Sequence, residues 1–105
     1  MFEVRLHNFV IGRLAFQDEE WTFAYSEEFQ ENAICEPLIC FPILNKVYKS
    51  KSLWPFFLAR IPGLKQPAIQ KVIQQEKIDP NDLPSLLQRF GKKAIQNPFE
   101  LNVIS

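Results

Sequence analysis

The sequence predicts one α+β domain over residues 1–105, in which a small antiparallel sheet packs against about three C-terminal helices. Apolar and polar residues alternate over residues 2–7 and again over 21–26, as they do in half-buried strands. Several segments after residue 54 instead repeat apolar residues with helical spacing. Because the predicted strands precede the predicted helices, an antiparallel sheet is favoured over a parallel one. The sheet is expected to be a meander that could close in part into a barrel.

Three strands are predicted at residues 2–6, 10–16 and 21–25, the last of which is rich in aromatic residues. The first turn is expected at Asn8, since asparagine tolerates the left-handed region. A polar turn follows at 18–20. Gly12 lies inside the second strand, where glycine is typical of a bulge or a close crossing.

Ser26 can cap a short helical turn, since acids follow it at the positive helix end. The apolar run at 37–42 starts and ends with proline, a residue admitted at strand starts and edges, so a short edge strand is predicted there. Residues 45–52 are predicted to form a basic, polar loop.

The stretch 52–63 contains more large apolar side chains than one buried face accommodates. Pro55 is suited to the first turn of a helix, which places Trp54 at its entrance, and Pro62 followed by glycine ends it. With helical spacing, one side of this segment consists of Leu53, Phe57, Leu58 and Ile61. Phe56 lies off this side, next to Arg60. Either the sheet wraps around the additional aromatic residues or, as we favour for Trp54, another molecule covers them.

Two further helices and a last strand complete the prediction. One helix begins at Pro67, with Ile69, Val72 and Ile73 on its apolar side. The other begins after Asp82 as its cap, and its buried side consists of Leu83, Leu86, Leu87 and Phe90. Alternation returns over residues 99–103, which predicts a strand.

Composition indicates a folded, soluble protein. Hydrophobic residues make up 47% of the chain and the net charge is +0, a combination that argues against disorder. No run approaches the ~20 apolar residues of a membrane helix, so a cytoplasmic protein without a membrane partner is expected. Cys35 and Cys40 are predicted to be reduced, and with the distant His7 they do not form a zinc set.

The charges are distributed unevenly along the chain. Residues 1–36 contain eight acids, whereas residues 37–75 contain six lysines and arginines and no acid. The basic stretch is either a set of solvated side chains or a face that meets an acidic partner. Direct nucleic-acid binding is a weaker alternative, because the cations are not dense and the pI is near 6.6.

The sequence contains no recognisable catalytic or cofactor-binding motif. The glycines are Gly12, Gly63 and Gly91, too far apart for a phosphate-binding loop, and a serine elbow is absent. His7 lies among charged neighbours and is predicted to be a surface residue. We therefore expect a protein that is not an enzyme and needs no cofactor or metal, although a spatial cluster of catalytic groups would not be visible in the sequence.

Five segments, in order, resemble the N-terminal subdomain of the HipA-type serine/threonine kinases. They are 10–14, 21–25, 37–43, the paired phenylalanines at 56–57 leading to Ile61-Pro62-Gly63, and 79–91. Residues 92–98 depart from the family pattern, which usually has a glycine-rich stretch there. As such a subdomain without an attached kinase, and with the segment Leu53-Trp54-Pro55-Phe56-Phe57, the chain is most similar to the HipS antitoxins of split HipB–HipS–HipT toxin–antitoxin systems.

This resemblance implies a noncatalytic antitoxin that binds and inhibits a HipT-type kinase, while a HipB-like helix-turn-helix protein contacts DNA. A structural subunit that completes a split kinase without inhibiting it is the main alternative. Aromatic residues beside arginine are frequent sources of interface energy. We therefore predict a partner-binding site with Trp54 at its centre, made of Lys51, Ser52, Leu53, Trp54, Phe56 and Arg60.

Overall fold

The computed structural model describes residues 1–94 and 97–104. The strands are β1 (Phe2–Leu6), β2 (Phe9–Gln17), β3 (Glu20–Tyr25), β4 (Tyr48–Ser50) and β5 (Glu100–Val103). The helices are α1 (Glu27–Glu31), α2 (Pro55–Leu58), α3 (Pro67–Glu76) and α4 (Leu83–Phe90). The predicted α+β class is confirmed.

The strands form one antiparallel sheet in the order β4-β3-β2-β1-β5. The meander β1–β3 is therefore as predicted, and β5 returns to pair with β1. The sheet is open, with β4 and β5 at its two edges, so the partial barrel closure does not occur.

Local geometry explains both hairpins. Asp18 and Glu19 have φ values of 53° and 61°, as a two-residue turn matched to strand twist requires. In the first hairpin it is His7, not Asn8, that has positive φ, at 57°. The register of β1 against β2 shifts after Val4, opposite Gly12. A Cβ on Gly12 would lie 2.7 Å from the Ala24 carbonyl oxygen and 2.7 Å from the Phe23 ring, so a close crossing requires glycine here.

The predicted edge strand at 37–42 is wrong. This segment forms a turn and extended loop, and the edge strand is instead β4, within the region expected to be a loop. The backbone N–H of Leu38 donates to the Tyr25 hydroxyl at 2.8 Å, and that hydroxyl donates to the Phe41 carbonyl at 2.6 Å. The Tyr25 side chain of β3 thus satisfies backbone groups of this segment, which in a strand would be hydrogen-bonded to a neighbouring strand.

Helix starts follow the predicted caps. The Ser26 hydroxyl accepts from the Phe29 N–H at 3.1 Å at the start of α1. The Asp82 carboxylate accepts from the Ser85 N–H at 3.3 Å at the start of α4. Trp54 is the N-cap residue of α2, with Pro55 in the first turn.

The core lies on one face of the sheet. Phe23 is fully buried at its centre, with ring centroids 4.2 Å from Phe41 and 5.8 Å from Phe57. Phe29 of α1 and Leu87 of α4 belong to the same cluster. The two cysteines are free thiols, half-buried against this core. Aromatic packing therefore fixes α2 against the sheet.

Candidate partner-binding surface

The predicted site lies where the chain passes from edge strand β4 into α2. Ser50, the last residue of β4, pairs with Trp21 of β3, and its hydroxyl accepts from the Ser52 N–H at 3.1 Å. The Trp54 carbonyl accepts from the N–H groups of Phe57 and Leu58, each at 3.0 Å. The backbone of residues 50–54 is thus fixed at both ends.

Trp54 is half-buried in this connection. Its ring packs edge-to-face against Phe41, with centroids 5.0 Å apart and planes at 78°. One side of the indole thus rests on the core, and part of it is open to solvent. Exposed Lys51 and Ser52 precede it in the chain. We name residues Lys51, Ser52 and Trp54 the Trp54 surface.

Leu53 is buried in the core cluster. Its side chain therefore belongs to the core beneath the Trp54 surface and is not part of the surface itself. Leu58, predicted to be on the buried side of α2, is instead 45% exposed. The four-residue helix α2 directs Phe57 into the core, and its neighbour Leu58 lies on the solvent side.

Phe56 is half-buried at the edge of the aromatic core. Its ring packs edge-to-face with Phe57 at 5.1 Å and with Phe99 at 5.9 Å between centroids. The Arg60 guanidinium lies over it, 5.5 Å from the centroid. The chain's own side chains therefore cover much of the Phe56 ring.

Arg60 is only 5% exposed and is bound by its own chain. Nη1 donates to the carbonyl oxygens of Gly91 at 3.0 Å and Lys92 at 3.3 Å. Nη2 donates to the Phe99 carbonyl at 2.8 Å and to Asn97 Oδ1 at 3.1 Å. Burial lowers the pKa of the guanidinium, because desolvation disfavours the charged form.

These contacts give Arg60 an internal role. Its acceptors lie at the C-terminal end of α4, where the helix dipole favours a cation, and just before β5. Arg60 thus connects α2, α4 and β5, and its four hydrogen-bonded donors are not available to a partner. The exposed part of the predicted site consists of Lys51, Ser52, Trp54 and part of Phe56.

Sequence reasoning missed the loop that supports Trp54 from the other side. Phe41 packs on Trp54 and follows the turn held by Tyr25. The sequence offers no direct signal for this loop, because Tyr25 is 13 to 16 residues away from the backbone groups that it binds. The loop belongs to the surroundings of the Trp54 surface.

The described part of the chain has a surface groove but no candidate metal centre. Residues 1–94 and 97–104 contain no group of three or more His, Cys, Asp or Glu side chains that could hold a metal ion. A groove of about 480 Å³ beside α3 is lined by Leu64, Gln70, Ile73, Gln74, Lys77, Ile78 and Pro80. Lysine is the one ionisable type in this lining. Across the same described part of the chain, no helix has the length and apolar character needed to cross a bilayer.

Comparison with known protein families gives a match over most of the chain. The family model described as HipA N-terminal domain matches residues 2–95, which is most of the chain and includes the Trp54 surface. A search of curated proteins finds no match.

Proposed function

Since this chain belongs to the HipA N-terminal domain family, we propose that it is a noncatalytic antitoxin that inhibits a HipT-type serine/threonine kinase by protein–protein contact. The family is consistent with a toxin–antitoxin context. The HipS-like role and the inhibition are our proposal.

The position of Trp54 supports this proposal most. A large aromatic side chain is held at the N-cap of α2, packed on Phe41 along one side and open along the other. Because its backbone is already fixed, binding requires little further ordering of the chain. Partly exposed tryptophans in such positions are typical of interface hot spots.

The charge of the chain segment that contains Trp54 is also suited to a kinase. Residues 37–75 contain no acid, and Lys46, Lys49 and Lys51 are exposed. A kinase cleft contains acidic metal-binding residues, so a cationic surface would be attracted to it. Arg60 is excluded from this surface by burial.

The proposed complex acts in the cytoplasm. A HipB-like helix-turn-helix protein in the same complex would contact operator DNA, so this chain would meet DNA only indirectly. A salt-dependent gel shift by the isolated chain would instead indicate direct binding.

The test is a titration of a HipT-type kinase from the same genome with the wild-type chain, following both binding and phosphoryl transfer. We expect kinase activity to fall in proportion to the complex formed. Binding that leaves the kinase fully active would instead indicate a structural subunit of a split kinase. No binding would refute the proposal.

Trp54→Ala tests the position of the contact. Loss of a hot-spot side chain costs about 2 kcal/mol or more, which is about thirtyfold in affinity. Val103→Ala is the matched control, because Val103 is exposed on β5 at the opposite edge of the sheet. An affinity change for Trp54→Ala within about threefold, with the fold intact by circular dichroism, would reject the Trp54 surface.

A further inference from the structure

The loop of residues 38–47, which we name the Ile39 loop, exposes an unusual amount of aliphatic surface. Ile39 is 92% exposed, and Ile43 and Val47 are exposed as well. Single exposed aliphatic residues are common on protein surfaces. Three of the eight exposed large hydrophobic side chains in the described part of the chain lie on this ten-residue loop, however, and concentrated apolar exposure is a feature of interaction sites.

The Ile39 loop is held in place by buried contacts. Leu38 and Phe41 are buried on either side of the tip, and the Phe41 N–H donates to the Leu38 carbonyl at 2.9 Å. The Tyr25 hydroxyl bonds to the backbone of both residues. The Tyr48 hydroxyl accepts from the Ile43 N–H at 2.8 Å. Ile39 is thus directed outward by a rigid turn, which lowers the entropy cost of binding.

The charge around this loop specifies the chemistry of its partner. Lys46, which belongs to the loop itself, is exposed and lies over the Tyr48 ring, 4.9 Å from its centroid. No acid occurs between residues 37 and 75. The complementary surface is an apolar pocket bordered by carboxylates.

The loop is also continuous with the Trp54 surface. Phe41 stacks within the core at 4.2 Å from Phe23 and packs edge-to-face on Trp54 at 5.0 Å. It also contacts Tyr48 at 5.0 Å. One buried ring therefore supports the Ile39 turn, the Trp54 indole and β4 together.

We propose that the Ile39 loop is a second docking element for the same kinase, in which Ile39 enters an apolar pocket with an acidic rim. This inference rests on the proposed function, and it adds a contact separate from Trp54. A single partner would thus cover both elements.

The experiment compares kinase binding by the wild-type chain, Ile39→Ser, Val103→Ser and Trp54→Ala, using calorimetry with the purified HipT-type kinase. Complete burial of an isoleucine side chain corresponds to about ten- to hundredfold in affinity. We therefore expect Ile39→Ser to weaken binding at least about tenfold, and Val103→Ser, 48% exposed in the wild type, to change it less than about twofold. Because Ile39 is so exposed, its substitution should leave the melting temperature unchanged.

A charge reversal tests the acidic rim. Lys46→Glu should weaken kinase binding, and the difference from wild type should shrink at high salt. Lys71→Glu, at an exposed position on α3, is the matched control. Equal effects of the two variants would overturn the assignment of an acidic rim.

The outcomes separate this inference from the proposed function. If Trp54→Ala loses affinity while Ile39→Ser binds like Val103→Ser, the Ile39 loop is not a docking element. If the wild-type chain does not bind the kinase, both proposals are refuted.

Discussion

Replacement of Arg60 by alanine should destabilise the fold by about 3 kcal/mol. The substitution removes four hydrogen bonds from a charged donor, to Gly91, Lys92, Asn97 and Phe99. Each such bond contributes roughly 1.5–3 kcal/mol, and desolvation of a buried cation offsets several kcal/mol of that sum. The acceptors left behind are partly buried, and not all of them can be rehydrated.

The assay is urea and thermal unfolding followed by circular dichroism. For a domain of this size, about 3 kcal/mol corresponds to a decrease in Tm of roughly 12–24 °C. Arg60→Lys should also be destabilised, because one ammonium group cannot reach acceptors arranged for a planar guanidinium. Arg89→Ala is the control, since Arg89 forms an exposed pair with Glu76, and exposed pairs contribute little.

The opposite pattern would refute this reasoning. If Arg60→Ala loses less than about 1 kcal/mol of stability but binds the kinase much more weakly, then Arg60 contacts the partner and the internal role is wrong. The combination of both measurements distinguishes a structural residue from a binding residue.

Three further predictions concern the support of the core and the loop. Tyr25→Phe should cost about 2 kcal/mol in unfolding free energy, because Leu38 and Phe41 lose their hydroxyl partner; an unchanged urea midpoint would contradict this. Burial raises the pKa of Tyr25 from 10.0 to about 12, so the stability that neutral Tyr25 contributes is complete below pH 10.0 and is lost as the pH rises towards 12. The urea midpoint of the wild-type chain should therefore fall more than that of Tyr25→Phe between about pH 9 and pH 11. Equal decreases in the two midpoints would show that Tyr25 does not cause this pH dependence. Gly12→Ala should cost about 2 kcal/mol through overpacking against Ala24 and Phe23, and a wild-type Tm would contradict the close crossing.

Much of the fold was predictable from the sequence because its periodicity is strong. Strands β1, β3 and β5 alternate clearly, whereas the register shift at Gly12 interrupts the alternation of β2. The helices α3 and α4 have apolar sides with recognisable starts. The strand β4 was not predictable, since its three residues are defined by pairing with β3 and not by their own pattern. The false strand at 37–42 has a related cause, because Tyr25 is distant in sequence from the backbone groups that it binds.

The candidate site was predictable only in part. Proline rules placed Trp54 at the entrance of α2, as the structure has it. The burial of Arg60 was not predictable, because its acceptors are 31 to 39 residues away in the sequence. The outward direction of Ile39 also depends on contacts between distant residues, since Tyr25 fixes the turn.

The most direct test of the central claim measures Trp54 itself in the complex. The chain contains two tryptophans, of which Trp21 is buried and Trp54 is half-buried. Fluorine NMR of the chain labelled with 5-fluorotryptophan gives one signal for each, assigned by Trp54→Phe. On addition of unlabelled kinase, we predict that the Trp54 signal shifts and loses its sensitivity to solvent deuterium, while the Trp21 signal changes little. A kinase that binds while the Trp54 signal keeps its position and its solvent sensitivity would contradict the claim that a partner covers this residue.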